Sequence, residues 1–164
     1  MNTSYAVDIE QLLEDGHVIR IKPEGYSMYP FFVPGRDAAI IEKVSTDTLK
    51  KGDVALYRRD GSILVLHRIC RITQKGFYMV GDNQSVIEGP LRPDQIRGKM
   101  VAFERKGRRP VSVGQMRYRI LSGIWLRLLP MRPIFWKISA FIKKKVWSDR
   151  QQPADEGYLQ CPLQ

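Results

Sequence analysis

Ser27 lies in Gly25-Tyr26-Ser27-Met28-Tyr29-Pro30, two residues after a glycine and three before a proline. Those neighbours predict a constrained, non-helical turn that presents the hydroxyl and aims backbone N–H groups at a carbonyl oxygen. Serines also occupy turns for purely structural reasons. His67 lies in Val65-Leu66-His67-Arg68-Ile69. Strand alternation points it with Ile63, Val65 and Ile69 towards an apolar side. There it is either a core histidine with satisfied nitrogens or a partly desolvated neutral imidazole, the form that accepts a proton from a serine. Gly81-Asp82-Asn83 follows, with Glu88 six residues beyond Asp82. Asp82 and Asn83 are turn formers, and Asp82 and Glu88 each offer a carboxylate to an imidazole. With two histidines (His17, His67) and two cysteines (Cys70, Cys161), neither count nor spacing suggests a zinc site or a disulfide framework. No metal or cofactor is expected.

The elements that must position these groups are mostly strands. Thr3 or Ser4 is expected to cap a short helix with Ile9, Leu12 and Leu13 on one face and Gly16 at its end. Strands are predicted over His17 to Lys22, Ala38 to Val44, Asp53 to Arg58, Ser62 to Thr73, Phe77 to Val80 and Lys99 to Phe103. Asp60-Gly61 is a tight hairpin signal, because glycine supplies the positive φ such a turn requires. Short strands joined by tight turns, with little helix between, predict a mainly β, twisted and partly closed structure over residues 1–104.

Beyond Glu104 the pattern changes. Met116, Ile120, Ile124 and Leu128 recur every four residues, as do Ile134, Ile138 and Ile142 beside Phe141. Two basic amphipathic helices broken at Pro130 to Pro133 are expected, an arm over 105–147 with a polar, disordered tail over 148–164. The net charge of +10 comes from this arm: Glu104 to Trp147 holds 12 Lys and Arg and a single acid. Trp125, Phe135, Trp136 and Trp147 among the bases suit an anionic lipid surface. The bland alternative is that the apolar faces pack on the β-body. Charge also gives non-specific affinity for nucleic acid, but with no helix-turn-helix pattern no specific nucleic-acid partner is expected. No stretch is continuous and apolar enough for a signal peptide or spanning anchor. A cytoplasmic location is expected, or a peripheral one on the cytoplasmic membrane face.

Taken in order, Ser27-Met28 with Pro30, Gly52-Asp53-Val54, Leu66-His67-Arg68-Ile69, Gly81-Asp82-Asn83 and Ile96-Arg97-Gly98-Lys99 resemble the signal peptidase I family. The match, from Gly25 to Phe103, looks like the Ser–His branch of archaea and the endoplasmic reticulum rather than the Ser–Lys bacterial branch. SOS-repressor autoproteases resemble the body at fold level only, since they use lysine as base. The resemblance implies a serine endopeptidase that cleaves a peptide or protein precursor without a cofactor. Ser27 would be the nucleophile, with its backbone N–H in the oxyanion hole, and His67 the general base. Asp82 would support and orient the histidine, and either Asp82 or Glu88 could be its direct partner. Tyr26 and Met28 would line or support the substrate cleft. Gly25 stands where some relatives carry a hydroxyl donor. That departure, with the missing anchor, motivates the alternative of a catalytically weak or inactive peptide-binding scaffold that kept the fold.

Overall fold

The Asp8 carboxylate accepts the N–H groups of Glu10 and Gln11 at 2.9 and 3.2 Å and starts helix α1, Ile9–Glu14. The cap is therefore Asp8 rather than Thr3 or Ser4, because only an acceptor beside the first turn reaches its unpaired donors. Thr3 and Ser4 lie outside the residues that this computed structural model describes, 8–59 and 63–134. Gly16, at φ +83°, ends the helix segment as expected.

Eight strands follow: β1 (Ile19–Ile21), β2 (Asp37–Glu42), β3 (Val54–Arg58), β4 (Leu64–Thr73), β5 (Gly76–Val80), β6 (Glu88–Leu91), β7 (Ile96–Arg105) and β8 (Val111–Ser112). They form one antiparallel sheet in the order β1-β2-β7-β3-β4-β5-β6, with β8 added to β7. The mainly β expectation holds, but closure does not: β1 and β6 end the order without pairing to each other. Strands β6 and β8 were not expected from the sequence. Glu88-Gly89-Pro90-Leu91 carries no β-branched residue. It joins the sheet because Gly76 of β5 leaves room for the Leu91 carbonyl, which a Cβ there would strike.

The sheet buries both faces, and alternation sorts its residues between them. Val54 and Leu56 of β3, Leu66 of β4, and Met100 and Phe103 of β7 pack on one face with Leu13, Met28 and Phe32. Ala55, Tyr57, Ile69, Phe77 and Met79 pack on the other beneath Leu49 and Leu91. His67 shares the parity of the second set.

Helix α2 spans Met116–Arg127. Its expected apolar stripe is not its packed face: Met116, Ile120 and Ile124 are 72%, 51% and 49% exposed, whereas Ser122 and Leu126 are buried. The face turned inward carries Tyr118 and Trp125, whose rings meet Phe31 edge-on at centroid distances of 6.0 and 6.3 Å. Two residues with polar tips thus outcompete the aliphatic stripe, because Trp125 Nε1 reaches the Asp82 carbonyl at 2.9 Å. The chain divides into compact units at 1–130 and 131–164, and α2 lies in the first. The second predicted helix, all but Ile134, and the tail lie outside the described residues. Among the described residues, no helix is long and apolar enough to cross a membrane.

Candidate functional site

Ser27 occupies a single 3₁₀ turn, Tyr26–Met28, closed by Tyr29 N–H donating to the Tyr26 carbonyl at 3.1 Å. Met28, 1% exposed, packs in the same core cluster as Phe32 and anchors the turn. It therefore supports the site from beneath, while Tyr26 stands 64% exposed. The Ser27 carbonyl accepts the Asn83 N–H at 2.7 Å. Gly81 makes this approach possible, since a Cβ there would lie 2.7 Å from the same carbonyl oxygen.

This clasp relates Ser27 to His67. Strands β4 and β5 pair with Arg68 opposite Val80, so one further step sets His67 beside Gly81. The missing Cβ of Gly81 points at the Ser27 carbonyl, and the serine turn lies against β4, the strand that carries His67. Ser27 itself is half-buried. Among the described residues, no hydrogen bond joins its hydroxyl to His67.

His67 is 4% exposed. Its Nδ1 lies 3.1 Å from the Tyr57 hydroxyl, which donates to Glu88 Oε2 at 2.7 Å. Arg59 grips the same carboxylate with both teeth of its fork, Nε to Oε1 and Nη2 to Oε2, each at 2.7 Å. Burial lowers the His67 pKa to about 4, against the attraction of the Glu88 and Asp82 charges and with the repulsion of Arg59. Burial and then the Glu88 hydrogen bond raise the Tyr57 pKa. The Arg59 hydrogen bonds lead in lowering that of Glu88, against burial.

Asp82 is placed differently from expectation. Its side chain is fully buried and accepts Arg68 Nε at 2.8 Å and Nη2 at 2.7 Å. Arg68 also donates to the Gly52 carbonyl at 2.8 Å and to the Tyr118 hydroxyl at 3.3 Å. Arg68 follows His67 on β4 and projects from the opposite face, so Asp82, bound to it, steadies the Gly81–Asn83 turn and not the imidazole. Neither carboxylate is the direct partner of the ring: Glu88 acts at one remove, through Tyr57. Gly25 has open space where a Cβ would go.

The chain matches no protein-family model and no curated protein.

Tyr57, Arg59 and Arg68 are the site residues that the sequence did not single out. Tyr57 was within reach of the alternation rule, given the register. Ala55 faces His67 and Tyr57 faces Val65, which makes Tyr57 and His67 diagonal neighbours on one face. Among the described residues, no group of three or more His, Cys, Asp or Glu could hold a metal ion.

Proposed function

We propose that the protein is a serine endopeptidase of the signal-peptidase type, cleaving a peptide or protein precursor with Ser27 as nucleophile and His67 as general base. One observation carries this reading: the Ser27 turn is clasped by Gly81 and Asn83 and lies against β4, the strand that carries His67. In the reaction the Ser27 hydroxyl attacks the scissile carbonyl while its proton passes to the imidazole. His67 then returns a proton to the leaving amine. Burial keeps the imidazole uncharged across the neutral range, and the same burial makes it a weaker base than a free histidine.

Ser27→Ala and His67→Ala should each abolish the appearance of new protein N-termini in cells, while circular dichroism and thermal unfolding report an intact fold. Undiminished cleavage by either variant rejects the hydrolase. The reading of a non-catalytic peptide-binding scaffold gains support from one observation, the absent hydrogen bond between Ser27 and His67. Catalytic hydrogen bonds commonly tighten only when substrate is bound, so cleavage, not the unliganded spacing, decides between the two.

The exposed face of α2 suits a further part of the proposal, contact with an anionic membrane surface. Met116, Ile120, Leu121 and Ile124 are exposed beside Arg117, Arg119 and Arg127. Flotation with phosphatidylserine vesicles should fall when Ile120 and Ile124 are both changed to Ser, and flotation unaffected by the pair removes this contact.

A further inference from the structure

The Tyr57 hydroxyl has one proton and two neighbours that compete for it, Glu88 Oε2 at 2.7 Å and His67 Nδ1 at 3.1 Å. Glu88 is held by both nitrogens of the Arg59 fork, an arrangement that suits an ionised carboxylate. An ionised carboxylate only accepts hydrogen bonds, so the phenol proton belongs to Glu88. What the phenol then offers His67 is an oxygen lone pair. A hydrogen bond at Nδ1 accordingly requires Nδ1 to carry the ring proton.

We infer that Tyr57 is the positioning residue of this site: its oxygen receives Nδ1–H of His67 and leaves Nε2 as the unprotonated, basic nitrogen. The inference rests on the proposed role of His67 only for its catalytic meaning; the location of the ring proton can be tested without any substrate. In the reaction Nε2 takes the Ser27 proton, and the imidazolium keeps Nδ1–H on the Tyr57 oxygen. No proton moves to Tyr57 or Glu88. The phenol, buried and already donating to a carboxylate, stays protonated throughout. Arg59 completes the device by holding Glu88 at the far end, so that three side chains from β3, the residue after it and β6 set which imidazole nitrogen is basic.

The test is nitrogen-15 NMR of the two histidine rings in the full chain, with His17→Asn assigning the exposed one. Wild type should show the His67 proton on Nδ1. Tyr57→Phe removes the acceptor, and the proton should shift towards Nε2. Glu88→Ala removes the acceptor that holds the phenol proton, so the phenol turns it to Nδ1 and drives the ring to Nε2–H. This second variant carries the test if Tyr57→Phe fails to fold. A wild-type ring protonated at Nε2, or a ring unchanged in the folded variants, overturns the inference. Where cleavage is measured, kcat should fall about 10- to 100-fold in either variant with KM little altered, a loss comparable with that of a general base misplaced. A proton that moves as stated while Ser27→Ala cleaves like wild type would reject the peptidase and retain the role of Tyr57.

Discussion

Burial moves the His67 imidazole from 6.5 to about 4, against the pull of Glu88 and Asp82 and with the push of Arg59. The folded protein therefore keeps a neutral ring well below the pH at which the unfolded chain takes up its proton. As pH falls from 6.5 towards 4, protons favour the unfolded state, and stability present above 6.5 is lost. The loss traceable to this ring is roughly 2 kcal/mol by about pH 5. Urea unfolding of wild type and His67→Gln at neutral pH and at pH 5 should show it as a smaller acid penalty in the variant. Cleavage should for the same reason persist into mildly acidic solution. Kinetics that lose activity near the ordinary imidazole value would place the ring in water. Asp82→Ala is expected to act otherwise, costing about 3 to 5 kcal/mol by leaving Arg68 buried without its carboxylate. The ring proton of His67 should not move in that variant. Ser27 and His67 were legible because glycine, proline and a strand-borne imidazole mark their own surroundings. Tyr57 was not, because its place depends on register. A two-residue turn at Asp60-Gly61 would pair Arg59 with Ser62 and put Tyr57 and His67 on opposite faces. The observed pairing of Arg58 with Leu64 restores them to one side.

Among the elements, the turn at Gly81–Asn83 bears most of the geometric demand. It meets the Ser27 carbonyl through Asn83, and Trp125 and Arg68 through Asp82. Gly81→Ala should be costly here, because the added methyl would lie 2.7 Å from both the Ser27 carbonyl and Gln84 Oε1. A loss of about 1 to 3 kcal/mol is expected from such overpacking. Cleavage should fall more steeply than stability, since relief requires the serine turn to move; assays on protein still folded at the assay temperature separate the two. The strand pattern from β1 to β5 could be read from alternation and turn residues. Helix α2 was legible as a helix, but its orientation was not. Four-residue spacing identifies an apolar stripe without saying what that stripe meets, and here Tyr118 and Trp125 won the inward face through their polar ends.

For the whole molecule, the sheet order places β4 and β5 near one end and leaves β6 as the terminal strand. β6 is four residues long and, among the described residues, pairs with β5 alone, through Leu91 opposite Phe77 and Glu88 opposite Met79. Its Gly-Pro step and, among the described residues, its lack of an outer neighbour make local opening cost less there than in the central strands. Strand composition hides this: Glu88-Gly89-Pro90-Leu91 has no periodicity to announce it, and its pairing needs the close approaches at Gly76 and Gly89. Glu88, the carboxylate on which Tyr57 depends, thus rides on the margin of the sheet and not on its centre. Mild denaturant should therefore scramble the imidazole and silence turnover while far-ultraviolet ellipticity and tryptophan emission still report a native body.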